Sequence, residues 1–138
     1  MAGAPWPPAI LVRTRDEAFA AAAAAISLGV PLTLRSPPGA AGSLGIGWFA
    51  ALAALVRERH PALRLRFVLD CGGEAGTAMA AFRYGFEAVR FAGPAADKLA
   101  AIALEMGAAL DLDDRPALDL GDVMTEPELA CRRWLSPG

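Results

Sequence analysis

Apolar residues in this chain fall in short runs of strand length, each followed by a longer stretch with helical spacing, and the alternation repeats from end to end. Ala9 to Arg13 (AILVR) predicts a first strand. Thr14-Arg15-Asp16-Glu17 then has the T-x-x-E spacing of a capping box and opens a helix through the alanines to about Leu28, ended by Gly29 and Pro31. Pro31 to Ser36 (PLTLRS) predicts a second strand, and Ser36 to Gly47 a long glycine-rich loop. Trp48 to Arg59 places Phe49, Leu52, Leu55 and Val56 on one side of a helix that His60-Pro61 stops. Leu63 to Asp70 is the third strand, with a helix from about Ala75 to Tyr84 after it. Phe86 to Ala92 is the fourth, and Gly93-Pro94 opens a helix to Met106, with Gly107 beyond its end. Ala108 to Leu112 is a short fifth strand, residues 113–124 are acidic and loop-like, and Thr125-Glu126-Pro127-Glu128 repeats the capping-box spacing before a last helix to about Leu135.

That order, strand then helix throughout, predicts an α/β domain with a parallel sheet of four to five strands, because crossover helices of this length force parallel pairing. Two closures fit: a flavodoxin-like doubly wound sheet, or an aldolase-like half-barrel. At 138 residues the chain reads as one domain, with 1–8 and 136–138 as flexible ends.

Composition narrows the chemistry. A formal net charge of −2 gives no electrostatic reason to expect nucleic acid or an acidic membrane surface. Lys98 is the only lysine, so lysine chemistry would rest on it alone. Two cysteines, Cys71 and Cys131, with one histidine make neither a disulfide framework nor a zinc set, and no metal or other cofactor is expected. Without a basic, then apolar, N-terminal segment or a membrane-length apolar run, the expected location is the cytoplasm. Alanine-faced helices that pack closely are compatible with a homo-oligomer.

Two stretches resemble the βα units of the keto-deoxy-phosphogluconate aldolase group. Leu32-Thr33-Leu34-Arg35-Ser36-Pro37 is similar to that group's strand ending in T-L-R-T-P, and Ala78 to Phe91 (AMAAFRYGFEAVRF) to its A-x-x-A-L-x-x-G-x-x-x-x-K-F segment. The resemblance covers about a third of the chain and implies a barrel-type unit. The family's Schiff-base lysine falls on Arg90 and its catalytic glutamate near Pro31-Leu32, so the resemblance does not carry the aldolase chemistry. Asp70 ends its strand as a receiver-domain acceptor does, but the first strand ends in Arg13-Thr14 where receivers have acids. Cys71 opens a loop like that of rhodaneses, where the loop arginine is replaced by Gly76.

Ligands of parallel α/β folds bind beyond the carboxyl ends of the strands. The residues collected there are Arg13, Arg35-Ser36, Asp70-Cys71 with Gly72 and Gly73, and Arg90. Three late-strand arginines converging on one side would hold a small phosphate- or carboxylate-bearing ligand, helped by N–H groups of the Gly39, Gly42 and Gly45 loop. The bland alternative pairs the arginines with Asp70 and Glu87. Gly45-x-Gly47-x-x-Ala50 matches a dinucleotide fingerprint by spacing, but about nine loop residues separate it from its strand. Two other functions stay open: an interaction module docking through its glycine-rich loop and terminal arms, or a thiol enzyme using Cys71. No catalytic residue is assigned, and the balance leans away from an enzyme.

Overall fold

The computed structural model describes residues 6–136. Its strands are β1 (Ile10–Leu11), β2 (Leu32–Arg35), β3 (Leu65–Asp70), β4 (Ala88–Arg90), β5 (Ala109–Leu110) and β6 (Leu118–Asp119). The helices are α1 (Arg15–Leu28), α2 (Ala40–Leu44), α3 (Ile46–Arg59), α4 (Ala75–Tyr84), α5 (Ala96–Glu105) and α6 (Pro127–Leu135). All strands pair in parallel, in the order β5-β4-β3-β2-β1-β6. The α/β parallel sheet read from the hydrophobic pattern is therefore the architecture.

Strands β1 to β5 succeed one another across the sheet, so right-handed crossovers step the same way each time and set their helices on one face. The order reverses once, where β6 joins the free side of β1, and this reversal makes the sheet doubly wound. Right-handedness then sends the β5–β6 connection over the second face. That connection, residues 111–117, contains no helix.

The two faces differ in chemistry. Ile10, Val12, Leu32, Leu34, Phe67, Leu69 and Val89 point to the helices and join one core with Ala18, Ala21, Ala25, Phe49, Val56 and Phe82. Side chains alternate along a strand, so the residues between them face the other way. In register these are Leu11, Arg35, Val68 and Ala88, with Arg13, Asp70, Arg90 and Asp111 one step further on. Thr33 and Arg66, partners across β2 and β3, lie one step back.

Several local expectations are corrected. The Ser36–Gly47 loop is helical over Ala40–Leu44, with Ala40 and Ala41 buried, and the next helix starts at Ile46 rather than Trp48. The acidic stretch 113–124 holds β6 and a 3-10 turn (Leu120–Asp122). Two residues are enough for β6 because the strand only continues the edge of β1. Thr14 Oγ1 accepts from Glu17 N–H at 3.1 Å as expected, while the Glu17 carboxylate accepts from Arg13 N–H at 2.7 Å, one residue earlier than in a regular capping box. The second capping box does not form: α6 is preceded by Glu126 in a left-handed conformation (φ 49°), with no side-chain cap. Pro127 at the first helical turn excludes the α region for the residue before it. Of the ends read as flexible, Trp6 to Pro8 is tied down. Trp6 lies under the guanidinium groups of Arg64 and Arg66, and Pro8 O accepts from Trp134 Nε1–H at 3.1 Å. Residues 1–5 and 137–138 lie outside the described residues.

Candidate functional site

Arg35 closes β2 on the second face, and its neighbours bury it to 6% exposure. A guanidinium taken out of water needs charge and hydrogen bonds in return. Its nearest carboxylate is Asp111, with Oδ2 3.3 Å from Nη2. Asp111 is shared, since the same Oδ2 accepts from Arg90 Nη1 at 3.2 Å. Two guanidinium groups thus face one carboxylate. Burial first, then the nearby Arg90 charge, push the Arg35 guanidinium below its ordinary pKa, against the opposing pull of Asp111, Asp113 and Asp70. Arg35 Nε is buried and has no protein partner among the described residues.

The connection after β5 is tied over this pair. Arg90 Nη1 also donates to Asp113 O at 2.7 Å, Asp113 N–H donates to Asp111 Oδ1 at 3.3 Å, and Arg115 Nη2 donates to Trp6 O at 2.7 Å. The Arg115 side chain grips the Asp113 carboxylate and holds its pKa down at about 2. Beside this connection the second face opens into a cleft of about 790 Å³, lined by Trp6, Arg64, Arg66, Ala88, Asp111 and Arg115 among others.

Arg13 shares the face but is drawn toward β6, where both its Nη atoms donate to Asp119. That hydrogen bond is the chief cause lowering the Asp119 pKa. The expected convergence of three arginines is thus corrected to a pair, Arg35 and Arg90, with Arg13 engaged elsewhere. The alternative partners are corrected as well. Asp70 Oδ1 accepts from the backbone N–H groups of Gly39 (3.0 Å) and Gly72 (2.9 Å), and Glu87 pairs with Arg57 at 3.3 Å on the surface. Asp70 is a clip between two loops.

The remaining candidates serve that clip or lie apart. Ser36 Oγ accepts from Asp70 N–H at 2.8 Å, and Ala92 N–H donates to Gly72 O at 2.9 Å. A Cβ on Gly72, whose φ is +58°, would stand 3.7 Å from Gly39 Cα, and one on Gly73 would stand 3.3 Å from Ala92 O. The loops after β2, β3 and β4 therefore pack shoulder to shoulder. Gly42 lies inside α2, and Gly45 joins α2 to α3. Cys71 is buried on the helix face, its thiol donating weakly to Leu69 O at 3.9 Å. Burial, then the Asp70 charge, push that thiol up to about 12.

Sequence reasoning missed Asp111, Asp113, Arg115, Arg66 and Trp6. Asp111 had a usable signal: it lies inside the expected fifth strand, Ala108 to Leu112, near its carboxyl end, the late-strand position already used to choose the arginines. Among the described residues no three His, Cys, Asp or Glu side chains come together as a metal site, and no helix is long and apolar enough to cross a membrane. No family model and no curated protein matches the chain.

Proposed function

We propose that this domain binds a small anion, phosphate- or carboxylate-bearing, on the second face of its sheet near the carboxyl ends of β2 and β4, with Arg35 and Arg90 as its cationic groups. One observation carries the reading: among the described ion pairs Arg35 and Arg90 share a single carboxylate, Asp111, and the Arg90 side chain stays 30% exposed. A purely structural ion pair balances its charges, whereas two guanidinium groups on one carboxylate leave a positive charge to spare for an oxyanion. Of the three expected arginines this reading keeps Arg35 and Arg90, and it leaves out Arg13 and the glycine-rich loop.

The competing functions have less support. The described part of the N-terminal arm is tied down by Trp134 and Arg115, and a thiol held at about 12 is a poor nucleophile at neutral pH. The reading is tested by melting the protein against inorganic phosphate and acetate. A ligand that binds the folded state raises Tm with concentration, and Arg35→Met should abolish the rise. A flat response in the wild-type protein refutes the reading.

A further inference from the structure

No helix covers the second face. Right-handed crossovers put the helices between β1 and β5 on the first face, and α6 packs against α1 on that side. The cleft of about 790 Å³ opens where this missing layer would stand, over β4 and β5. Its floor is small and apolar: Ala88 and Ala109 are register partners on adjacent strands, both turned to the second face. A parallel sheet usually has helices on both faces, and here nothing helical stands above these alanines. Leu112 borders the same space and is 75% exposed.

One wall of the cleft is cationic. Arg64, which is exposed, and Arg66, half-buried, line it, and their guanidinium groups lie 4.4 and 5.0 Å from the centre of the Trp6 ring. Trp6 is itself held, its carbonyl accepting from Arg115 at 2.7 Å. The carboxylates lining the cleft are all engaged: Glu87 by Arg57, Asp113 by Arg115, and Asp111 by Arg35 and Arg90. Arg64 and Arg66 have no carboxylate partner among the described ion pairs. Paired charges cancel, so the wall keeps two positive charges, on heads that an aromatic ring holds in place. Groups already held lose little freedom when a ligand arrives.

We propose that this cleft binds a small organic carboxylate with an apolar body, its head at Arg64 and Arg66 and its hydrocarbon or ring over Ala88 and Ala109. The volume falls within the range of small-molecule pockets, about 300–1,000 Å³. Residues of the 111–117 connection bound the space, which favours a compact ligand over an extended acidic peptide. The site is separate from the Arg35–Arg90 pair and does not rest on that reading.

Calorimetric titration of the full chain with phenylacetate and hexanoate tests it against three controls. The amide of each probe keeps the body without the charge, acetate keeps the charge without the body, and hexaglutamate stands for an acidic peptide. At least one of the two carboxylates should bind about tenfold or more tighter than acetate and than its own amide, the worth of a charge-assisted contact. Arg64→Gln should weaken that binding about tenfold. Ala109→Leu places a side chain in the cleft from an exposed position, so it should abolish binding without lowering Tm. Arg35→Met should leave the affinity unchanged, which separates this site from the arginine pair. Binding that survives both Arg64→Gln and Ala109→Leu, or that is lost in Arg35→Met alone, overturns the proposal. So does hexaglutamate binding more tightly than either carboxylate. Absence of binding by both carboxylates at about 10 mM, where a site with a Kd of about 1 mM would be mostly filled, overturns it too and leaves the phosphate reading to its own test.

Discussion

Replacing Asp111 by asparagine should destabilise the protein far more than replacing either arginine it serves. The carboxylate side chain is 3% exposed, Arg35 is 8% and Arg90 is 30%, so removing the single negative charge leaves two guanidinium groups repelling each other with little water to screen them. Breaking a buried pair by deleting one partner costs about 3–5 kcal/mol. For a chain of this size, that is a fall in Tm of roughly 10–20 °C. Arg35→Met has the opposite character: Asp111 keeps Arg90 and the Asp113 N–H, and one of two repelling charges is gone. Its cost should stay within about 1 kcal/mol, since no buried charge is left without a partner. Adding Arg35→Met to the Asp111→Asn protein should restore much of the lost stability, a coupling readable from urea unfolding of the four proteins. If Arg35→Met costs more than Asp111→Asn, or if the double variant recovers nothing, the account of two arginines sharing one carboxylate is wrong.

Other outcomes follow from the same geometry. Asp70→Ala removes the acceptor of two backbone N–H groups, so it should cost about 2–4 kcal/mol and speed hydrogen exchange at Gly39 and Gly72 while sparing α1. Asp113 and Asp119 have carboxyl pKa values depressed from 3.8, so their contribution to stability is complete above about pH 4 and is lost as pH falls, for Asp113 through about 2. Acid unfolding of Arg115→Ala should show less stability lost across that window than the wild type, and equal losses would contradict the Arg115 grip. Cys71, pushed up to about 12, should react slowly with iodoacetamide at pH 7 and quickly only in denaturant; rapid native labelling would reopen a thiol function.

The α/β architecture was legible because hydrophobic runs of two periods alternate along the chain and each helix carries its own stop signal, as at Gly29 and Gly85, both left-handed with φ +67° and +113°. The β6 strand was not, because two residues have no period and their pairing with β1 is set by the return of a distant segment. The candidate site was half legible. Late-strand position singled out Arg13, Arg35 and Arg90, but which of them share a face and a partner depends on the register of β2, β3 and β4, which the sequence does not carry. Their partner could not be chosen from sequence, since Asp70, Glu87 and Asp111 all stand at or near strand ends, and only the path of residues 111–117 decides which carboxylate reaches the arginines.

The most direct measurement of the central claim is the Arg35 Nε–Hε signal in a nitrogen–proton NMR spectrum, assigned by its loss in Arg35→Met, during a titration with phosphate and then diphosphate. A donor that gains an oxyanion should shift its proton downfield along a saturable curve, with Arg90 following and Arg13, engaged by Asp119, staying in place. A site with a Kd of about 1 mM would be mostly filled at about 10 mM ligand. An Arg35 signal unmoved at that concentration, or a shift at Arg13 as large as that at Arg35, would contradict the account.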